Sequence, residues 1–261
     1  MKSIKSKIAL ITGASSGFGE ATAYRLASQG CNLILIARRL ERLKKISEKI
    51  KRKYSIDVYL IKLDVRNQKK VEKAISELPP KWKKIDFLIN NAGLSRGLDK
   101  IQNGLLSDWE EMIDTNVKGL LYVSRAVIPL MIKNNGGHIV NIGSIAGREV
   151  YPGGNVYCAT KHAVDALTKA FRIDLLGTNI KVSTVDPGLA ETEFSIVRFH
   201  GDRKRAKAVY EGLIPLYADD VADAIEYILT RDDNVLIAEI LIFPKAQASS
   251  MHVHRDLKKS T

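Results

Sequence analysis

The chain has 261 residues and a net charge of +12 at pH 7, with 41 lysines and arginines against 29 aspartates and glutamates. Its two cysteines, Cys31 and Cys158, exclude a disulfide framework, and their spacing predicts no metal site. No apolar run approaches roughly 18 residues and no signal peptide is recognisable, so we expect a cytoplasmic protein with no membrane partner.

A glycine-rich turn stands between the first predicted strand, residues 7–12, and the first predicted helix, residues 20–29. Its glycines follow the spacing G-x-x-x-G-x-G. Such a turn lets backbone N–H groups close on a phosphate in front of a helix N-terminus, although a tight turn without a ligand is the alternative. We therefore expect the cofactor to contact Gly13, Ser15, Ser16, Gly17, Phe18 and Gly19.

The second predicted strand, Asn32–Ala37, ends where many dinucleotide-binding proteins carry an acidic residue that binds the adenosine ribose 2′-hydroxyl. Here Ala37 is followed by Arg38 and Arg39, whose guanidinium groups suit a 2′-phosphate, so the sequence favours NADP over NAD. The alternative is that both arginines only begin a basic helix over residues 41–53. Glutamates interleave with the lysines of that helix, which indicates a solvated face rather than a nucleic-acid surface.

The ends of the next two predicted strands add further cofactor candidates. Asp64 and Val65 end the third strand, where a carboxylate could meet the adenine amino group. Asn91, Ala92 and Gly93 follow the fourth strand, Phe87–Asn90, where small residues let a cofactor pass close to the backbone. Ordinary loop chemistry would explain either motif alone.

Tyr157 and Lys161 lie four residues apart in a predicted helix over residues 155–176, so their side chains share one face. Lowering a tyrosine pKa from about 10 to about 7 requires roughly 4 kcal/mol. A fixed positive charge in a partly dry site supplies energy of that order. The pair is therefore a candidate proton-transfer unit, and the alternative is a half-buried ring beside a solvated amine.

Taken together, these motifs resemble the short-chain dehydrogenase/reductase family over about residues 5–255. The family's active-site tetrad falls on Asn116, Ser144, Tyr157 and Lys161. The resemblance implies an α/β Rossmann fold, a single doubly wound parallel seven-stranded sheet with helices on both faces. The alternation of strand and helix signals over residues 7–242 independently predicts a parallel sheet covered on both faces.

The resemblance also implies a role for each tetrad residue. Tyr157 would be the general base in oxidation, Lys161 would lower its pKa and bind the nicotinamide ribose, and Ser144 would hydrogen-bond the substrate oxygen. Asn116, in a predicted helix over residues 107–134, would hold a water that links Lys161 to solvent, and a helix kink or a surface amide is the alternative. The remaining residues expected beside the nicotinamide are Pro187, Gly188, Leu189 and Thr192.

A narrower resemblance covers residues 153–157, 186–189 and 192–199, which are similar to the NADP-dependent 3-hydroxy acid dehydrogenases. It implies oxidation of serine, allo-threonine and small 3-hydroxy acids by a homotetramer. Ala190 departs from this pattern and leaves the fine substrate specificity open. One alternative is an NADPH-dependent reductase of a ketoacyl, steroid or sugar carbonyl. The other is a nucleotide-sensing or nucleic-acid-binding protein that has kept the fold without turnover.

The substrate is expected to contact Ser144, Gly153 and Tyr157, and its carboxylate requires a cation. Arg148, Arg198 and Arg255 are the candidates. A lid is predicted over about residues 188–215, irregular as far as residue 202, and a C-terminal tail over about residues 243–261. The basic tail of one subunit is hypothesised to approach a neighbour's active site, and a frayed terminus is the alternative. The chain as a whole, residues 1–261, is expected to be a single domain.

Overall fold

A computed structural model describes residues 2–256. Its strands are β1 (Ile8–Thr12), β2 (Asn32–Ala37), β3 (Val58–Lys62), β4 (Phe87–Asn90), β5 (Gly137–Ile142), β6 (Ile180–Pro187) and β7 (Glu239–Ile242). Within these residues the strands form one seven-stranded parallel sheet in the order β3-β2-β1-β4-β5-β6-β7. The order reverses between β1 and β4, and in open α/β sheets ligands bind at that point, beyond the carboxyl ends of the strands.

The helices are α1 (Gly17–Ser28), α2 (Leu40–Lys53), α3 (Gln68–Ser76), α4 (Leu106–Ile113), α5 (Leu120–Lys133), α6 (Asn155–Asp174), α7 (Phe194–Arg198), α8 (Arg203–Ala208) and α9 (Ala218–Leu229). Because successive side chains of a strand point to opposite faces, β1 contributes to two apolar cores. Ala9 and Ile11 pack with α1, α2 and α9, whereas Ile8 and Leu10 pack with α3 and α5. The sheet is therefore covered on both faces, and the predicted fold class is confirmed.

One predicted helix is not regular. Residues 106–133 are helical throughout, but residues 114–119 between α4 and α5 have the wider π-helical hydrogen-bond pattern. Such segments occur mostly as single turns inside α-helices, frequently at functional sites. Asn116 lies in this turn, so its neighbourhood departs from the uniform helix that the sequence predicted.

The prediction of an irregular stretch over residues 188–202 was wrong for its central part, which contains α7. A helix of five residues is too short to show a periodic pattern of hydrophobic residues in the sequence. Its stability comes from tertiary packing. The ring of Phe194 packs against the ring of Tyr157 at 5.6 Å between centroids. Ala190 and Leu216 form a β-bridge that closes the base of this excursion, and we call residues 190–216 the lid segment.

The C-terminal tail folds back on the domain as far as it is described. Gln247 and Val253 form an antiparallel bridge, and the Gln247 side chain accepts a hydrogen bond from the Leu189 N–H at 2.7 Å. The predicted basic end beyond Arg255 falls largely on residues 257–261, which lie outside the described residues. In residues 2–256 no helix combines the length and the apolar character needed to cross a membrane.

Candidate active site

The glycine turn after β1 is packed too tightly for larger residues. Gly13 has a φ of +65°, and a Cβ placed there would lie 2.8 Å from the Asn91 side-chain nitrogen. A Cβ on Gly19 would lie 2.6 Å from the Gly13 carbonyl oxygen. The Thr12 hydroxyl accepts hydrogen bonds from the N–H groups of Asn91 and Ala92 at 3.0 and 2.9 Å. The ends of β1 and β4 are thus locked together, and the turn keeps its backbone open toward the helix N-terminus.

A cleft of about 260 Å³ begins at this turn and reaches α6. Most of the predicted cofactor residues line it, namely Gly13, Ser15, Ser16, Gly17, Phe18, Arg38, Arg39, Asp64, Val65, Asn91, Ala92, Gly93, Tyr157, Lys161 and Thr192. The other five, Gly19, Asn116, Pro187, Gly188 and Leu189, do not line it. The structure therefore brings together, in one elongated cleft, residues from Gly13 to Thr192 that lie far apart in the chain.

The cleft fits a dinucleotide with a phosphorylated ribose. The crowded glycine positions provide the close backbone approach that a pyrophosphate needs. Beside the same turn, the Arg39 guanidinium donates to the hydroxyls of Ser15 and Ser16 at 3.2 and 2.7 Å, which fixes a cation there. Ala37 adds no negative charge there. This combination suits a 2′-phosphate better than a free 2′-hydroxyl.

Asp64 lines the cleft and is bound by Arg66, with 2.6 Å between Nη2 and a carboxylate oxygen. Partial burial raises the pKa of Asp64, but the hydrogen bonds from Arg66 outweigh this effect and leave the pKa below its usual value. The side chain is therefore an ionised hydrogen-bond acceptor at neutral pH. Within residues 2–256 no group of three His, Cys, Asp or Glu side chains is placed to hold a metal ion.

Tyr157 and Lys161 are both buried on one face of α6, with 5.9 Å between the Lys161 ammonium nitrogen and the centroid of the Tyr157 ring. The Lys161 ammonium donates to the carbonyl of Ile142 at the end of β5, at 2.8 Å. A Cβ on Gly93 would lie 3.7 Å from that nitrogen and 3.4 Å from the Asn116 side-chain oxygen. Gly93 therefore marks the point where Asn116 and Lys161 meet.

The amide of Asn116 acts as a brace. Its oxygen accepts from the Leu94 N–H and its nitrogen donates to the Leu94 carbonyl, both at 2.8 Å. The same nitrogen donates to the Thr160 hydroxyl on α6 at 3.0 Å. The π-helical turn thus connects the loop after β4 to the helix that carries Tyr157. The role in holding a water, which the family resemblance implies for Asn116, stays a prediction.

Ser144 follows β5 and begins a short 3₁₀ turn. Its hydroxyl accepts from the Ala146 N–H at 3.1 Å and has the Pro187 carbonyl 3.5 Å away, on the other side of the site. These contacts leave the Ser144 oxygen near the Tyr157 phenol, where it favours ionisation of that phenol. The three tetrad residues of β5 and α6 therefore converge on one small volume.

Burial dominates the protonation of the two residues on α6. It raises the pKa of Tyr157 above its usual value, and Arg198 and Ser144 act against this rise. Burial lowers the pKa of Lys161 to about 8, with Asp186 acting in the opposite direction. Arg198 is a cation that lowers the pKa of the Tyr157 phenol in this geometry, and the expectation that Lys161 also lowers it stays a prediction.

Arg198, at the end of α7, is the candidate carboxylate-binding arginine that the structure places at the phenol. Its guanidinium carbon lies 5.3 Å from the centroid of the Tyr157 ring and 5.0 Å from that of Phe194. One terminal nitrogen donates to the Tyr151 hydroxyl at 3.0 Å. The Nε atom is buried and has no hydrogen-bond partner among residues 2–256. A cationic donor is therefore held beside Tyr157 with one hydrogen bond still unmade.

The other two arginines are engaged elsewhere. Arg148 lies 2.7 Å from Asp186 and 2.5 Å from Glu239, so two carboxylates of the chain already neutralise it. Arg255 donates to the backbone carbonyls of Val209 and Glu211 in the lid segment of its own chain. Neither lines the cleft, and Arg198 does not line it either; Arg198 differs from both because it lies beside the Tyr157 ring. The geometry therefore does not support Arg148 or Arg255 as the group that holds the substrate carboxylate.

Gly153 also lies outside the cleft. It has a φ of +76°, and a Cβ there would lie 2.6 Å from the Leu98 carbonyl oxygen. Its glycine character is explained by this turn before α6. Two residues that the sequence did not single out, Tyr151 and Glu193, contact Arg198 and Arg39 respectively. No local motif marks them, because both act through partners distant in the chain.

Comparisons with known proteins agree with this geometry. The family model of short chain dehydrogenases matches residues 7–202. The chain is 46% identical over 256 residues, 98% of its length and 99% of the relative's, to an NADP-dependent 3-hydroxy acid dehydrogenase of Schizosaccharomyces pombe. It is 45% identical over 253 residues, 96% of its length and 100% of the relative's, to sulfoacetaldehyde reductase 2 of Chromohalobacter salexigens.

Among solved structures, the closed form of serine dehydrogenase complexed with NADP+ matches with a TM-score of 0.89 at 42% identity. The match covers 95% of this chain and 100% of the serine dehydrogenase chain. The agreement thus extends over the sheet, the cleft and the lid segment. The chain is a member of the short-chain dehydrogenase family.

Proposed function

We propose that the protein is an NADP-dependent oxidoreductase that interconverts small 3-hydroxy acids and the corresponding 3-oxo acids. The observation that carries this proposal is Arg198, whose buried Nε atom is unpartnered beside the Tyr157 ring. A buried cationic donor with an unmade hydrogen bond favours an anionic substrate. The short distance to Tyr157 limits the substrate to a few atoms between its hydroxyl and its anionic group.

Different residues of the chain would bind different parts of the cofactor. The glycine turn would hold the pyrophosphate, Arg38 and Arg39 the 2′-phosphate, and Lys161 the nicotinamide ribose. Pro187, Gly188, Leu189 and Thr192 would form the wall beside the nicotinamide. When bound, NADP supplies the hydride acceptor of the reaction. The matched serine dehydrogenase structure is a complex with NADP+, and the fungal relative is named as NADP-dependent. Both names support this choice of cofactor.

The proton of the substrate hydroxyl is transferred by a residue of α6. Tyr157 accepts the substrate hydroxyl proton during oxidation and returns it during reduction. Ser144 donates a hydrogen bond to the same oxygen and stabilises the charge that develops there. Arg198 and Lys161 bring two positive charges to this volume, which favours the ionised phenol against the effect of burial. Asn116 keeps α6 in register with the loop after β4.

The relatives' names fit an anionic substrate. A 3-hydroxy acid carries a carboxylate, and sulfoacetaldehyde carries a sulfonate that one methylene group separates from its aldehyde carbon. Both place a negative group a short distance from the reacting carbon, as the spacing of Arg198 and Tyr157 requires. An uncharged ketone or sugar carbonyl would offer no anionic partner to the buried Nε atom of Arg198, which costs binding free energy.

The test is a substrate panel with matched charge. NADP reduction is measured with L-serine, D-serine, L-allo-threonine and 3-hydroxypropanoate, each with NADP and with NAD. 3-Hydroxypropanamide is the control, because it keeps the shape of 3-hydroxypropanoate and removes the charge. We expect turnover of the acids with NADP and little with the amide or with NAD. Turnover of uncharged carbonyls alone would establish the alternative reductase, and no turnover on any substrate would favour a binding protein.

We further propose that the enzyme works as a cytoplasmic homotetramer. Helices α4, α5 and α6 carry large apolar side chains that are exposed in the single chain, namely Leu106, Ile113, Ile132 and Ile173. Exposed apolar groups of this kind are available to a subunit interface. Light scattering at micromolar protein is the measurement, and a monomer would contradict the proposal.

A further inference from the structure

The lid segment carries an acidic side chain into the cationic end of the cleft. Glu193 immediately precedes α7, and its carboxylate is held by two arginines from the other side of the cleft. The distance to Arg39 is 2.9 Å, and the two distances to one Arg42 nitrogen are 2.6 and 2.8 Å. Despite partial burial, these two guanidinium groups hold the pKa of Glu193 below its usual value, so the carboxylate is ionised.

Arg39 is the same residue that contacts the glycine turn. Two of its nitrogens donate to the hydroxyls of Ser15 and Ser16, so the turn fixes its position. Its third nitrogen donates to the Glu193 carboxylate. Arg38 and Glu193 line the same cleft. The cation expected to receive the cofactor's 2′-phosphate therefore binds a carboxylate that belongs to the lid segment.

The Glu193 contact is accessible to a competing ligand. The side chains of Arg39, Arg42 and Glu193 are 43%, 46% and 39% exposed, so water reaches all three. An ion pair of this exposure contributes up to about 1 kcal/mol. A phosphate offers more charge and more acceptor oxygens than a carboxylate, so it replaces the carboxylate at a shared guanidinium.

We infer that Glu193 is an internal occupant of the 2′-phosphate position, which ties the lid segment to Arg39 and must leave Arg39 when NADP binds. The inference rests on the proposed function only for the choice of NADP. Arg42 retains Glu193 after the exchange, so the lid segment stays near the cofactor. NAD, which lacks the phosphate, does not compete with Glu193. The residue thereby weakens NADP binding selectively.

The test compares Glu193→Gln with Glu191→Gln by calorimetric titration of the complete protein. Glu191 is an exposed lid residue two positions earlier, so its variant makes the same charge change away from Arg39. We expect E193Q to bind NADP and adenosine 2′-phosphate about fivefold more tightly, which corresponds to about 1 kcal/mol. NAD and adenosine 5′-phosphate should bind as in the unmodified enzyme. E191Q should match the unmodified enzyme with all four ligands.

Three outcomes would overturn the inference. Unchanged or weaker NADP binding by E193Q would mean that the carboxylate does not compete with the phosphate. Equal tightening for adenosine 2′-phosphate and adenosine 5′-phosphate would mean a general charge effect. Binding of NAD as tightly as NADP by the unmodified enzyme would reject both this inference and the cofactor assignment. Selective NADP binding without turnover of hydroxy acids would reject the substrate assignment alone and leave the Glu193 comparison valid.

Discussion

The two sides of the active site are built differently. On the α6 side, Tyr157 and Lys161 are each 7% exposed, and the helix is fixed to the sheet through the Ile142 carbonyl. On the lid side, Glu193 is partly exposed and contacts residues more than 150 positions away in the chain. Proton transfer is thus placed on the part of the fold that the core holds rigid. Recognition of charge is placed on the lid segment, which is held at its base, by polar contacts and by the packing of Phe194 against Tyr157.

The largest expected effect comes from the α6 side. Tyr157→Phe removes the proton-transferring hydroxyl and leaves the packing against Phe194 intact. We expect kcat to fall by roughly 10²- to 10⁴-fold, the usual contribution of a general acid or base. The dissociation constant of NADP, measured by calorimetry, should change little. A loss of less than about tenfold in kcat would place proton transfer on another group.

On the lid side, Arg198→Met should change recognition rather than chemistry. It removes the buried donor beside Tyr157 and preserves most of the apolar bulk of the side chain. We expect kcat/KM for 3-hydroxypropanoate to fall by roughly 10- to 100-fold, mainly through KM, as for a lost charge-assisted hydrogen bond. Activity on 3-hydroxypropanamide should stay low and unchanged. Equal losses on both substrates would show that Arg198 serves only the structure of the lid segment.

Arg148→Met is the matched comparison, because it removes an arginine that binds Asp186 and Glu239 rather than the cleft. We expect the free energy of unfolding to fall by about 2 kcal/mol near pH 7, since Asp186 is left as a buried, unpaired carboxylate.

The pH dependence of this loss has a definite sign. Burial raises the pKa of Asp186, and Arg148 opposes that rise, so the variant carboxyl titrates at higher pH still. A carboxyl with a raised pKa destabilises the fold above that pKa, so the deficit should shrink as the pH falls toward about 5. Urea unfolding at both pH values is the measurement. A deficit that grows on acidification would contradict this account of Arg148.

The remaining expected effect is a gain in stability. The pKa of Lys161 is lowered to about 8 from 10.5, so the folded state holds a buried cation at a cost. Lys161→Met should raise the free energy of unfolding by about 2 kcal/mol below pH 8, and the gain should disappear as the pH rises through 8 to 10.5. Activity should be lost in the same variant. Lower stability at neutral pH would mean that the bond to Ile142 outweighs the burial of charge.

Local sequence patterns were sufficient for the parts of the site that local structure builds. The strands, the glycine turn and the Tyr157–Lys161 pair each depend on neighbours within a few residues, so period and spacing locate them. The π-helical turn at Asn116 was not foreseen, because it depends on hydrogen bonds to Leu94 and Thr160. The helix α7 was missed for the same reason.

The arginines show the limit more sharply. Arg148 and Arg198 were equal candidates, since both follow predicted site residues by a short interval. What separates them is Asp186 and Glu239, which reach Arg148 from β6 and β7. Sheet order decides which carboxylates stand beside which arginine, and spacing along the chain does not encode it. Glu193 was missed because its proposed role depends on ion pairs with Arg39 and Arg42, which are distant in the chain.

The bridge between Ala190 and Leu216 makes the lid segment a closed insertion with both ends at one point. The Leu216 carbonyl accepts from the Glu191 N–H at 2.8 Å, and the Leu216 N–H donates to the Leu189 carbonyl at 2.9 Å. Because the two ends of the lid segment adjoin, replacing the segment as a whole leaves the spacing of the flanking strand and helix unchanged. We therefore expect that substrate preference can be transferred between relatives as one contiguous block of sequence, without redesign of the proton-transferring helix.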